Sequence, residues 1–354
     1  MRIALLTYST KPRGGVVHTL ALAEALARAG HDVTVWTLGR GGDTTFYRRV
    51  DPAVTVAAVP FPAIDDEPVG PRILRSIALL GQAFARTGVD YDIVHAQDCI
   101  SANAVPRCIR TVHHLDNFTT PQLAACHDRA IVRPYAHICV SAAVAREVRD
   151  GWGREPAVIP NGVDWQRFSE GDGGPWQRRF GEYVLAVGGI EPRKGSIDLL
   201  EAYAALRRPA VRLVFAGGET LFDYRPYREA FEARARELGV QPVMLGTVDD
   251  GDMPGLMAGA AVLPFFSIKE GFGLAAMEAL AAGVPVVARD LPVLREVFGA
   301  QLQYADDHAS MTAALGGALD GKFALRKDSG ADLARSYSWD AAAAAHVAFY
   351  RQVG

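Results

Sequence analysis

The chain is short of positive charge and of cysteine. Its 37 Lys and Arg stand against 40 Asp and Glu, a net charge of −3, so no broad basic field exists to hold nucleic acid and any anionic ligand must be met by local groups. The four cysteines, Cys99, Cys108, Cys126 and Cys139, all fall in the first half and form no CxxC pair. That pattern argues against a zinc or disulfide framework and fits small buried thiols of a reducing compartment, with the cytoplasm as the expected location. No apolar stretch is long enough to span a bilayer, and the apolar run in MRIALLTYST is too short for a signal peptide. A fixed short repeat is also missing, which argues against a solenoid. What is present, 49% hydrophobic and 22% charged residues over 354 positions, describes a folded soluble protein with material for two domains.

Strand-like and helix-like segments alternate in the first half: RIALLTY, then VVHTLALAEALARAG, then HDVTVWTL, with later strands DIVHA, CIRTVHH and AHICV. Such alternation builds a doubly wound parallel sheet. The second half repeats it with YVLAVGG, VRLVFAGG, PVMLGTV, AAVLPFF and VPVVA. Between them the polar, glycine-rich IPNGVDWQRFSEGDGGPWQRRFGEY reads as a linker. The expected domains are therefore 1–165 and 166–337, with a capped helix that starts near Ser338 and packs back on the first. Two such sheets would face each other across a cleft, with ligands outside the carboxyl ends of their strands.

The stretch SIKEGFGLAAMEALAAGVPVVARD, residues 267–290, holds the densest chemistry. Glu270 and Glu278 have seven residues between them, the second inside a helical run from Leu274 to Ala282 that ends at Gly283 as a C-cap. Gly271 and Gly273 leave backbone amides open, so Gly273 and Leu274 lie near a helix N-terminus suited to phosphate. Helical side chains lean toward the N-terminus, which lets Glu278 reach a ligand resting there, while Glu270 approaches from the loop. A molecule with a central diphosphate and hydroxyl-bearing ends, a nucleotide sugar, fits that arrangement.

Three further pieces lie at strand-to-helix junctions. STKPRGGVVHTL links the first strand to the first helix through Gly14 and Gly15, which allow close backbone approach but lack the GxGxxG spacing of a dinucleotide fingerprint. VGGIEPRKGSIDLL ends a strand at Gly188, offers Ser196 as an N-cap, and leaves Arg193 and Lys194 in the loop, a fork and a point charge able to neutralise a diphosphate leaving group. TVHHLDNF places His113 and His114 at a strand end, where one of them would face the cleft and position a sugar or acceptor hydroxyl. Other matches are set aside. GGALDGK has the outline of a phosphate loop from Gly316 to Lys322, but Phe323 replaces the required Ser or Thr. Asp249, Asp250 and Asp252 of VDDGD precede a helix and read as N-capping residues instead of metal ligands. PRILRSIALLGQAF sets Ile73, Ile77, Leu80 and Phe84 on one helical face beside Arg72 and Arg75, a core-packed helix that leaves peripheral membrane contact open.

Taken together, GG after the first strand, IPNGVD at the crossover, KG after the first strand of the second half, and EGFGLAAMEALAAGVPVV resemble the retaining family-4 glycosyltransferases of the GT-B fold (glycosyl transferases group 1). The pieces occur in the right order over nearly the whole chain, and the Glu-x7-Glu element is the specific one. The resemblance implies an α/β protein of two Rossmann-like domains, the second binding the donor and the first the acceptor. It implies that Glu270 contacts the donor sugar hydroxyls near the backbone amides of Gly271, Phe272 and Gly273, and that the Leu274 amide meets the diphosphate. It further implies that Glu278 binds the ribose, Lys194 a phosphate, and Gly15, beside Gly14, the ligand at the first domain. His113 matches the T-x-H histidine near the reacting sugar. Family members usually carry Arg where this chain has Gly189, and Arg193 is the expected substitute. The implied reaction moves a hexose from a nucleotide-diphosphate sugar to an acceptor hydroxyl with retention, with no metal and no cofactor. A sugar-nucleotide epimerase and a non-catalytic GT-B partner protein are the alternatives; the Glu-x7-Glu context argues against the first, and intact Glu270, Lys194 and Glu278 against the second.

Overall fold

Apolar segments of the first half assemble into one parallel sheet in the computed structural model, which describes residues 1–115, 120–218, 224–322 and 327–354. Its strands are β1 (Arg2–Leu6), β2 (Asp32–Arg40), β3 (Val54–Phe61), β4 (Ile93–Ala96), β5 (Ile109–Val112), β6 (Ala136–Cys139) and β7 (Ala157–Val158). They lie in the order β3-β2-β1-β4-β5-β6-β7, so the direction of winding reverses between β1 and β4. Ile3, Ala4, Leu5 and Leu6 are fully buried, the continuous apolar run expected of a central strand covered on both faces. The strand β3 escaped the sequence pattern because most of it is half-buried or exposed at the sheet edge, and Pro60 interrupts it.

The second half forms β8 (Tyr183–Val187), β9 (Arg212–Ala216), β10 (Val243–Met244), β11 (Leu263–Phe265), β12 (Val286–Arg289) and β13 (Gln303–Ala305). Three strands run β10-β9-β8 and three run β11-β12-β13. A parallel bridge between Val184 and Val262, with Leu185 N donating to Val262 O at 3.1 Å, joins β8 to the approach of β11. The winding therefore reverses again, between β8 and β11.

The chain divides into two compact units, Met1–Gly162 with Trp339–Gly354, and Val163–Ser338. The helix Trp339–Val353 gives Ala343, Val347 and Tyr350 to the apolar cluster around Leu5, Leu20 and Ile109 of the first unit. Gly162 lies so close to Trp339 that a Cβ would fall 2.5 Å from Trp339 N, which explains a glycine in IPNGVD. The segment read as a linker is ordered structure. It holds the helices Trp165–Ser169 and Gly174–Phe180, and a Cβ on Gly171 or Gly173 would fall 2.5 Å from the backbone of Pro254 or Gly259. Its glycines serve close packing on the helix Met253–Ala258.

Other expectations meet the structure as follows. In the helix Val69–Ala85, Ile73 and Leu80 are buried and Arg75 forks Glu67 at 2.7 and 2.6 Å, so this helix packs on the core. Gly316 and Gly317 sit inside the helix His308–Leu319, while Phe323 and the Asp116–Phe118 part of TVHHLDNF lie outside the described residues. All four cysteines are free thiols. Among the described residues no helix is long and apolar enough to cross a membrane.

Candidate active site

At the β8–β11 reversal, Gly188 (φ 129°) and Gly189 turn the chain out of β8 into a short 3-10 turn, Pro192–Lys194. Gly195, at φ 62°, starts the helix Ser196–Leu206, and a Cβ there would fall 2.3 Å from Phe266 O, so this position requires glycine. Ser196 is thus the first helical residue and not the N-cap expected of it; its hydroxyl lies 3.5 Å from Glu191 O. Close contact at Gly195 fastens this turn to the segment after β11, where Ile268 N donates to Arg193 O at 2.8 Å.

That fastening brings Arg193, Lys194 and Glu270 together. Lys194 Nζ donates to Glu270 Oε1 at 2.7 Å and Arg193 Nη1 to the same oxygen at 3.2 Å. Arg193 also bonds Glu191 Oε1 at 3.0 Å and Lys269 O at 3.3 Å, so its fork organises two loops. The sequence placed the two cations on a phosphate and Glu270 on a sugar as separate tasks; the structure makes them one ion-paired cluster. Burial alone would raise the Glu270 carboxyl, but the Lys194 and Arg193 charges and hydrogen bonds from Lys194 and Ser267 outweigh it and hold it at about 2.

Gly271, Phe272 and Gly273 lead into the helix Leu274–Ala281. Gly273, the N-cap at φ 102°, offers no side-chain cap, so the first amides stay open to an anion. The buried Phe272 ring packs 5.5 Å from Tyr337, which leaves its backbone as the available part. The helix closes as its glycine requires, with Gly283 N on Leu280 O at 3.1 Å and Val284 N on Ala279 O at 2.8 Å. Glu278 lies one turn in. Burial pushes its carboxyl up to about 8, with Arg167 pulling it down and Asp250 pushing it up. Arg167 and Asp250 pair with each other at 2.9 Å. Neither neighbour was legible in the sequence: Arg167 comes from the supposed linker, and Asp250 from VDDGD. In that motif Asp252 does hold the N-cap position of Met253–Ala258, but without a side-chain cap bond. A wider groove of about 770 Å³ beyond Arg167 is lined by Asp164, Glu170, Asp172 and Asp252. Its acidic wall has the wrong sign for a diphosphate.

In the first unit, Gly14 and Gly15 are the first two residues of the helix Gly14–Arg28, not a link before it, and Arg13 at the N-cap makes no side-chain cap bond. Neither has positive φ. A Cβ would meet nothing within 4 Å at Gly14 and His113 Cδ2 at 3.5 Å at Gly15, so the fold itself does not demand glycine at either place. Two bare positions at a helix start instead leave room for an approaching molecule. Of the two histidines, His113 is the one facing this turn, and its buried Nε2 has no hydrogen-bond partner among the described residues. Burial first, then His114, His95, Arg110 and His346, lower the imidazole to about 3, so it is neutral. His18 packs edge-on at 4.7 Å and donates from Nδ1 to Asn161 Oδ1 at 2.8 Å. The His18 and Asn161 support was not anticipated; IPNGVD was its one visible sign.

Two doubly wound parallel sheets in one chain, each with an uncapped helix start at its reversal, define the GT-B class. Residues 12–167 match Glycosyltransferase Family 4 and residues 179–305 match Glycosyl transferases group 1. The chain belongs to glycosyltransferase family 4 and is a glycosyltransferase. It is 32% identical over 350 residues to a phosphatidyl-myo-inositol mannosyltransferase of Mycolicibacterium smegmatis, covering 90% of this chain and 85% of that one. Sucrose-phosphate synthase from Thermosynechococcus elongatus shares the fold at a TM-score of 0.79 and 20% identity, over 99% of this chain and 98% of the other. HepE from Anabaena, in complex with UDP-glucose, does so at 0.74 and 19%, over 98% and 99%.

Proposed function

We propose that the chain transfers a hexose from a nucleotide-diphosphate sugar to an acceptor hydroxyl with retention of configuration, using no metal and no other cofactor. The convergence of Lys194 and Arg193 on Glu270 beside the open helix start at Gly273 carries this reading. Cations and amides meet the diphosphate, and the ionised carboxylate meets the sugar hydroxyls. The second unit takes the donor, with Glu278 on the ribose, and the first takes the acceptor. The acceptor oxygen bonds the anomeric carbon on the face from which the diphosphate oxygen departs, and the acceptor proton passes to that oxygen. Lys194 and the Leu274 amide stabilise the charge that develops there. His113, neutral, positions a hydroxyl through Nε2.

Incubation with a panel of nucleotide sugars tests the reading. Slow release of nucleoside diphosphate without acceptor is expected, unchanged by a chelator, with the donor's anomeric configuration kept in any product. Interconverted sugars would indicate an epimerase, and a strict need for divalent metal would overturn the metal-free mechanism.

Glu278 gives a second test. Ribose hydroxyls donate best to its ionised form, and a carboxyl held at about 8 is mostly protonated at neutral pH. Affinity for a bare nucleoside diphosphate should therefore rise about tenfold from about pH 7 to about pH 9, with proton release. Calorimetry in buffers of different ionisation enthalpy measures both. The slope should vanish in Glu278→Gln, and a flat wild-type profile removes Glu278 from the ribose. In the ligand-free protein the sign reverses. The folded state holds a proton that the unfolded state has lost, so this group's contribution to stability falls as pH rises from the ordinary glutamate range through about 8.

A further inference from the structure

The carboxyl edge of the first unit's sheet carries a polar row on one face. Thr7 N donates to Trp36 O and Gln97 N to Leu6 O, both at 2.9 Å. With Leu6 opposite both Trp36 and Ala96, this sets Thr37, Thr7 and Gln97 side by side at the ends of β2, β1 and β4. Ala96 pairs with Arg110, so the row continues to Thr111, and His113, one residue beyond β5, stands diagonal to Gln97 on the same face. Arg40 and Arg110 belong to the other face, the first beside Phe61 and the second level with Ala96 in the cluster of Leu6 and Cys108. The row itself carries no charged side chain.

One row deeper the fold satisfies its polar groups completely: His95 Nδ1 meets the Tyr350 hydroxyl and His95 Nε2 the Thr111 hydroxyl, each at 2.7 Å. At the edge it does not. Thr7, Thr37 and Gln97 are 1%, 0% and 1% exposed, yet among the described residues neither threonine hydroxyl has a partner, and Gln97 has none at Oε1 or at Nε2. Nε2 of His113 is left in the same way, as is Nε2 of His18, whose Nδ1 is spent on Asn161. Buried polar atoms without partners are unfavourable, and polar groups of a ligand placed among them would relieve that cost. The row lies where the winding reverses between β1 and β4, the place where such sheets take their ligands, and on the strand that leads to the bare helix start at Gly14 and Gly15.

We propose that Gln97, with Thr7 beside it, reads a vicinal diol of the acceptor and thereby sets acceptor specificity. The acceptor role rests on the transferase reading; the capacity of the row to hold hydroxyls does not. A carboxamide offers an accepting oxygen and a donating N–H in one plane, so Oε1 can accept from one ring hydroxyl while Nε2 donates to its neighbour. A lone hydroxyl leaves half of the amide buried and unbonded, and an anionic oxygen finds no countercharge in the row. His113 then holds the hydroxyl that reacts, and Gln97 the pair next to it.

Nucleoside diphosphate release from the donor that the panel selects is measured with cyclohexane-1,2-diol and with cyclohexane-1,4-diol, which differ only in the spacing of their hydroxyls. The 1,2-isomer should give a kcat/KM at least about tenfold above that of the 1,4-isomer. Gln97→Leu should bring the two within about threefold of each other while leaving affinity for the nucleoside diphosphate, a ligand of the second unit, unchanged. Because leucine removes an unbonded buried amide, the variant should melt no earlier than the wild type, the opposite of what a structural amide would show. Should it melt early, Thr7→Val, isosteric and apolar, decides by the same preference. The proposal is overturned if the wild type uses both isomers equally, or if the deciding variant keeps the wild-type preference. If neither isomer raises release, the transferase reading fails instead, and saturation-transfer NMR of the 1,2-diol still decides the row: weaker binding by the deciding variant upholds it, and equal binding overturns it.

Discussion

Lys194→Ala is expected to lower the rate of sugar transfer by about 10²- to 10³-fold, the cost of one missing donor at a centre of developing charge, while leaving the melting temperature little changed. The two effects separate because of how the cluster is wired. Without Lys194, Glu270 keeps Arg193 Nη1 at 3.2 Å, so no buried carboxylate is abandoned. The leaving diphosphate loses its point charge, since Arg193 is also committed to Glu191 and the Lys269 carbonyl. Arg193→Ala should show the opposite balance. It releases Glu191, Glu270 Oε1 and the Lys269 carbonyl and leaves the 267–270 segment held by the backbone bond from Ile268 N, so stability falls more and the rate less. Single-turnover kinetics beside thermal melts on both variants make the comparison, and equal, small rate losses would show that this loop does not meet the diphosphate.

The central strands and the Glu-x7-Glu helix were legible because local signals decide them. β1 and β8 are continuous apolar runs, and the helix Leu274–Ala281 lies between an N-terminal glycine at φ 102° and a C-terminal glycine at φ 72°. The segment 159–183 was misread for a physical reason: glycine marks both flexibility and close packing, and only the backbone of Pro254 and Gly259 pressed against Gly171 and Gly173 distinguishes the two. At the site, residue identity was visible but partnership was not. Nothing local announces that Lys194 and Glu270 share a bond across 76 positions, or that Arg167 and Asp250, 83 positions apart, flank Glu278.

Glu270→Ala is expected to tighten binding of a bare nucleoside diphosphate by about tenfold, roughly one charge-assisted interaction, while reducing sugar transfer by about 10²- to 10³-fold. In the ligand-free protein Glu270 Oε1 occupies Lys194 Nζ at 2.7 Å and Arg193 at 3.2 Å, so an arriving diphosphate competes with an internal anion for the same cations. Removing the carboxylate ends that competition. A complete nucleotide sugar gains the same freed charge but loses the acceptor for its hydroxyls, so its affinity should rise less or fall, and the difference between the two ligands isolates the sugar-dependent part. The variant should also melt earlier, because its side chain, 11% exposed in the wild type, leaves two partly buried cations in mutual repulsion. Glu270→Gln separates charge from shape: it should share the tighter diphosphate binding yet keep part of the sugar discrimination, since an amide oxygen still accepts a hydroxyl. Calorimetry with both ligands on all three proteins is the measurement. If Glu270→Ala weakens both ligands equally, the carboxylate serves to hold the loop and does not touch the sugar.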